Sequence, residues 1–157
     1  MHKKIAHFIN SSYEAAVPAL RDLFLLAVRI VWGWGFFQAG LGKFKNFDRT
    51  TGFFQSLGIP FPEVNAALAA STELLGGLLL LIGLGARVIP VPLIVTMIVA
   101  YATAHREELS ALLAFPELDP FLQAPPFLFM MAALIIFLFG AGRVSLDEVL
   151  RRRKAQP

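Results

Sequence analysis

The sequence predicts an all-α protein: a four-transmembrane-helix bundle with short interfacial helices and both termini on the cytoplasmic side. Three observations carry this reading. Of the 157 residues, 57% are hydrophobic and only 16% charged, where a soluble domain carries about a quarter charged residues. Fifteen Phe and a mean hydropathy of +0.66 accompany long apolar runs. The basic residues sit mostly in the flanks of those runs, which is a pattern of membrane topology. The net charge of +3 is therefore read as topological, and nucleic acid is not expected as a partner.

Each span follows from length and punctuation. A helix needs roughly 20 residues to cross the hydrocarbon layer, with about 17 tolerated. Four segments approach this: about Asp22 to Gly42, Val64 to Leu84, Val88 to Ala104, and Phe121 to Ala141. The third is short and opens with Pro90 and Pro92, where missing backbone donors matter least. The fourth opens after "QAPP", the same device. The expected organisation is a cytoplasmic or interfacial segment over residues 1–21, a membrane domain over 22–142, and a basic cytoplasmic tail over 143–157. The N-terminus has a basic start but no sustained apolar core, so it reads as retained.

Orientation follows from counting Lys and Arg outside the spans. Nine lie on the side of the termini: Lys3, Lys4, Arg21, Arg87, Arg143, Arg151, Arg152, Arg153 and Lys154. Four lie opposite: Lys43, Lys45, Arg49 and Arg106. The positive-inside rule places both termini in the cytoplasm. Ser145 and Glu148 have capping-box spacing, so a short cytosolic helix is expected in the tail, with its basic end against anionic lipid. On the other side, Phe47, Phe53, Phe54 and Leu57 suit a short interfacial helix, ended by Gly58 and Pro60. This segment and "AFPELDPFLQAPP" read either as lids over the outer mouth or as anchored loops.

Two charges inside apolar runs are the focus for function. Glu73 shares a helical face with Ala66, Ala69, Ala70, Gly76 and Gly77, within about 60° at 100° per residue. Small residues let a neighbouring helix approach closely, so Glu73 is expected to point into the bundle. Arg29 shares a face with Gly33, Phe36, Gly40 and Lys43, while Gln38 lies about 180° away. With the spans as drawn, Arg29 stands roughly 11 Å and Glu73 roughly 17 Å above the cytoplasmic boundary. A lone charge at mid-membrane costs about 2.5 to 3.5 kcal/mol, and a bidentate arginine–carboxylate pair offsets much of that. An Arg29–Glu73 pair is therefore expected, either fixing helix register or lining a polar pocket. Lys43 and His105 close the outer ends of spans one and three, with Tyr101 one turn before His105. The candidate catalytic residues are Glu73 and His105; the candidate substrate-binding residues are Arg29, Lys43, Glu73, Tyr101 and His105. Trp32 and Trp34 are read as packing residues. No metal is expected, since His105 with Glu107 and Glu108 makes a meagre ligand set, and His2 and His7 add only adventitious binding.

These residues carry a family likeness. The stretches "RIVWGWGFFQAGLGKF", "FFQSLGIPFPEVNAALAASTELLGGLLLLIGLGAR" and "MIVAYATAH" resemble the DoxX family of small four-helix bacterial membrane proteins. The matching positions are Arg29, Gly33, Gly40, Lys43, Glu73, Gly76, Gly77, Gly83 and Arg87, with His105 at the polar end of the third helix. The likeness extends over about residues 22 to 142. It implies a multi-pass protein of the bacterial inner membrane, a membrane subunit of, or an accessory to, a quinone-linked oxidoreductase, without implying a cofactor-binding motif.

The chain has no Cys, so it holds no disulfide, thiolate metal site or dithiol redox centre of its own. Electron transfer would need a quinone, a bound cofactor or a redox partner protein. Two other classes stay open: a small-molecule or anion binding or transport protein, with Arg29 and Lys43 holding the anion, and a non-catalytic assembly scaffold. Four short helices are few for a complete transporter, so the transport reading expects a homo-oligomer, a homodimer, for which Gly35 and Ala39 are candidate interface residues. Enzymatic activity itself is left open.

Overall fold

The computed structural model describes residues 2–113 and 118–155, with side chains from residue 16 onward except that of Leu113. Among them all regular structure is helical. The elements are α1 (His2–Lys45), α2 (Phe47–Ser56), α3 (Pro62–Ile82), α4 (Pro90–Thr103), α5 (Arg106–Leu113), α6 (Asp119–Gln123), α7 (Pro125–Phe139) and α8 (Leu146–Lys154).

Helix α1 runs unbroken through the first expected span, and α3 matches the second. Two stretches are long and apolar enough to cross a membrane, Ala16–Lys45 and Pro62–Ile82. The third and fourth expected spans are apolar but shorter, with 14 residues in α4 and 15 in α7. Their boundaries have local causes. Gly83 and Gly85 take left-handed φ, so the chain turns over residues 83–89 before Pro90 begins α4. Pro125 and Pro126 open α7 after the extended Ala124, and Gly140, at φ 78°, ends it. The expected interfacial helix is α2. The expected tail helix is α8, where the Ser145 hydroxyl accepts from Glu148 N at 3.3 Å. Residues 114–117 of the outer loop lie outside the described residues; its remainder contains α6.

Helices α1 and α3 form the most extensive contact in the molecule, and their small residues are the reason. The buried face of α3 is Ala66, Ala70, Glu73, Gly76, Gly77 and Leu80, the face the helical wheel singled out. A Cβ at Gly77 would overlap Phe37 N and lie 2.6 Å from Gly33 O. One at Gly40 would overlap Leu74 N and lie 2.6 Å from Ala70 O. The two antiparallel backbones therefore touch, with Gly33 level with residues 77–81 and Gly40 level with 70–74.

Helices α4 and α7 close the other side. Phe36, Leu80, Leu93, Ala133 and Ile136 form a core in which each is at most 1% exposed. Trp32 and Phe36 pack edge-on against Phe129, at 5.0 and 4.7 Å between ring centroids. Gly35 also lies against Phe129, so it belongs to the α1–α7 contact. The exterior is strongly apolar: Leu23, Val31, Leu68, Leu138 and Phe139 are each at least 60% exposed. Water would penalise such a surface; hydrocarbon would not.

Gly77→Ala and Gly40→Ala are each expected to destabilise the protein by about 1–3 kcal/mol or more, because overpacking must push two backbones apart. Gly42→Ala, where an added Cβ meets nothing within 4 Å, is expected to be neutral or slightly stabilising. Thermal unfolding in detergent micelles compares the three.

Candidate functional site

Arg29 and Glu73 are both buried, at 2% and 3% exposure, but they do not pair with each other. Arg29 reaches the end of the bundle that carries α8. Its Nε donates to Leu80 O at 2.9 Å and its Nη2 to Leu81 O at 3.0 Å. Its Nη1 donates to Ala141 O at 2.6 Å and Val144 O at 2.7 Å.

The two acceptors on α3, Leu80 O and Leu81 O, are available because of how that helix stops. Gly83 takes φ 69° and ψ 45°, and Leu84 N returns to Leu79 O at 2.9 Å. That left-handed cap leaves late carbonyls of α3 with spare acceptor capacity, and a cation at a helix C-terminus is favoured by the macrodipole. A Cβ on Gly83 would stand 2.7 Å from the Arg29 guanidinium and from Ser145 Cβ. Here glycine is needed for both its torsion and its lack of bulk.

Two further carboxylates complete this end. Asp147 accepts from Gly85 N at 2.8 Å and Ala86 N at 2.9 Å, while its own N–H donates to Gly83 O at 3.0 Å. Asp22 is buried at 7% exposure and pairs with Arg143 Nε at 3.3 Å. Sequence reasoning missed both. Asp22 did leave a signal, since it stands seven residues before Arg29 and thus on the same helical face. Asp147 left none, because its acceptor role depends on the turn after α3.

Glu73 pairs instead with Lys43, whose Nζ donates to its Oε2 at 2.5 Å. The direction of the Cα–Cβ bonds explains the choice. Each side chain on a helix tilts toward its own N-terminus. Given the α1–α3 register, Arg29 lies nearer the α8 end than Glu73 and tilts away from it. Lys43 lies beyond Glu73 toward the opposite end, so these two side chains tilt toward each other. In axial terms, Arg29 stands level with about residue 83, roughly 15 Å from Glu73, whereas Lys43 stands only roughly 6 Å beyond it. The earlier depth estimate took the span boundaries from composition; glycine contacts set the actual register.

The Lys43–Glu73 pair lies on the wall of a cavity of about 780 Å³. Helix α1 adds Phe36 and Ala39, α2 adds Phe53, Phe54 and Leu57, and α3 adds Leu68, Ala69 and Thr72. One face of α4, then His105, Pro125, Pro126 and Phe129, complete the lining. Ala39 is thus turned to the cavity. His105 Nδ1 lies 3.2 Å from Glu108 Oε1; a backbone hydrogen bond first, and this contact second, hold the Glu108 carboxyl below its ordinary range. Tyr101 is buried at 3% exposure and donates its hydroxyl to Phe121 O at 2.8 Å. Of the five candidate residues, Lys43, Glu73 and His105 share this cavity; Arg29 and Tyr101 do not line it.

The motifs around these residues match a known family pattern, DoxX, over residues 24–106, more than half of the chain. The chain belongs to the DoxX family. That range includes Arg29, Lys43, Glu73 and His105 and stops before α7. One relative of this DoxX chain is the Bacillus subtilis (strain 168) protein named "Putative oxidoreductase CatD", 30% identical over 146 residues, covering 93% of this chain and 95% of that one. Another is "Uncharacterized membrane protein Rv3486" from Mycobacterium tuberculosis, 33% identical over 135 residues and 82% of each chain. No solved structure gives a significant match. The family is membrane-associated, which accounts for the apolar exterior of this DoxX protein.

Arg29→Met is expected to cost several kcal/mol, because it removes charge-assisted hydrogen bonds and leaves buried carbonyls under-satisfied, at about 1–3 kcal/mol each. Arg29→Lys should recover only part of this, since an ammonium cannot span the fork of a guanidinium. Glu73→Gln should cost less, about 1 kcal/mol, because Lys43 is partly exposed and can turn toward water. Unfolding midpoints of the three variants in one detergent check this order.

Proposed function

We propose that this DoxX protein is a subunit of, or an accessory to, a quinone-linked membrane oxidoreductase, with the quinone headgroup held beside Lys43 and Glu73. The carrying observation is a buried carboxylate, hydrogen-bonded to a lysine, on the wall of a large and mostly apolar cavity. Sites for small molecules are typically apolar clefts of this size with a few placed polar groups. Intramembrane ionisable residues are functional by default. The name of the B. subtilis relative, similar along nearly its whole length, points to redox work.

The chemistry fits the residues. A quinone carbonyl accepts a hydrogen bond from an ammonium such as Lys43 Nζ. Reduction to the quinol consumes two electrons and two protons. The electrons come from a partner protein, since the chain has no thiol pair of its own. Both protons would pass through the cavity groups: Lys43 would give one to each quinone oxygen in turn, reprotonated between the two by water at the polar end beside His105, with Glu73 stabilising the ammonium. In this reading α4 and α7 complete a four-span bundle with both termini in the cytoplasm, α8 lies along the inner face, and the Lys43 end faces outward.

Arg29 leaves this mechanism and becomes structural. Its commitment to backbone carbonyls also weakens the anion-transport reading, which needed a free guanidinium in the pocket.

The test is reconstitution of the purified protein in liposomes, with and without co-purifying partners. Quinone binding is expected to weaken about tenfold or more in Lys43→Met and Glu73→Gln, the loss of one charge-assisted hydrogen bond, with the fold intact. Quinone reduction should require the partner and fall in both variants. If both variants change only the unfolding midpoint and leave quinone binding untouched, the scaffold reading replaces this one.

A further inference from the structure

The cavity is elongated and polarised, and this narrows the class of ligand. Its lining on α4 runs from Val91 to Thr103, twelve residues or roughly 18 Å of helical rise. Its ionisable groups, Lys43, Glu73 and His105, leave the end of that length at Val91 and Val95 apolar. The hydroxyls that lie along α4 are spent within their own helix: Thr96 donates to Pro92 O at 2.9 Å and Thr103 to Val99 O at 2.7 Å. A headgroup at Lys43–Glu73 would leave that apolar end unfilled.

The cavity also opens sideways. Gly76 lies directly against the Leu93 side chain, so α3 and α4 touch near their connecting turn. Toward the N-terminus of α3 they part, and both Leu68 and Val95, which line the cavity, are more than half exposed. In a membrane-associated protein this opening faces acyl chains and not water.

We propose that the cavity takes a lipid-borne amphiphile with one long apolar tail, which enters between α3 and α4, sets its head at Lys43–Glu73 and lays its tail along α4. The identity of the head rests on the quinone reading above; the tail slot does not. A ligand seated this way keeps the orientation of a lipid in the leaflet on the Lys43 side, so it enters without carrying its headgroup across the bilayer.

Binding to the full-length protein in micelles is measured by quenching of Trp fluorescence, which suits the site because Trp32 packs on Phe129 of the cavity wall. The probes are a benzoquinone with a decyl tail and the same benzoquinone with none. The slot is filled by Ala100→Phe and, separately, by Val95→Phe, each checked by its unfolding midpoint. Micelle partitioning is common to all proteins, so the comparison between them is read. The tail is expected to tighten wild-type binding by at least about tenfold through methylene burial. Both fillings should reduce that gain to less than about twofold and leave the tailless quinone unchanged. A gain that survives both fillings, or a loss shared equally by the two probes, overturns the slot. A single-tailed lysophospholipid, read as thermal stabilisation, separates slot from head. If neither quinone binds but the lysophospholipid stabilises wild type and not the filled variants, the slot stands and the quinone reading falls. If no probe shows slot-dependent binding, the slot is abandoned.

Discussion

The guanidinium of Arg29 ties three chain segments together at one end of the bundle. From the middle of α1 it reaches the last carbonyls of α3 and two carbonyls of the α7–α8 connection. A charge this deeply buried is tolerated only where its donors are satisfied, and here partial negative charge at a helix end supplies the partner. Without that clamp, α7 would lose a fixed end and α8 its tether, apart from the Asp147 and Asp22 contacts that reinforce it. The position of the connection sets α7, and α7 forms one wall of the cavity.

The same clamp separates two roles. One end of the molecule is bound by a dense polar network, with backbone carbonyls and amides meeting Arg29, Asp147 and Asp22. At the other end Lys43 and Glu73 pair on the wall of the cavity. Rigid support and an open site thus occupy opposite ends of α1 and α3, joined by a glycine seam that permits no slack. This division suits a site that must hold its shape while a ligand enters from the side, since precise placement needs supporting residues that are themselves locked.

Much of the fold was legible. The burial of Glu73 followed from the small residues on its face, and Ala66, Ala70, Gly76 and Gly77 are indeed buried with it. The cap at Ser145, the short helix α2 and the proline-led starts of α4 and α7 could all be read from local chemistry. Pairing was less legible. Arg29 and Glu73 looked like partners because each is an isolated charge in an apolar run, and opposite charges in hydrocarbon attract. Yet a side chain's reach depends on which way its Cα–Cβ bond leans. On antiparallel helices that lean sends Arg29 and Glu73 apart and brings Lys43 and Glu73 together. The rule was available from sequence; the axial register needed to apply it was not.

By itself, then, the sequence determined the helical class, the faces that turn inward and the presence of costly buried charge, because periodicity, small residues and punctuation are properties of a single segment. Only the tertiary structure decided which charge met which. Partner choice turns on how far one helix slides along another, and that sliding is stopped by contacts such as Gly77 against Phe37 and Gly40 against Leu74. The cavity has the same origin. It is what remains between α3 and α4 once Gly76 has met Leu93, and no single segment encodes a space between two.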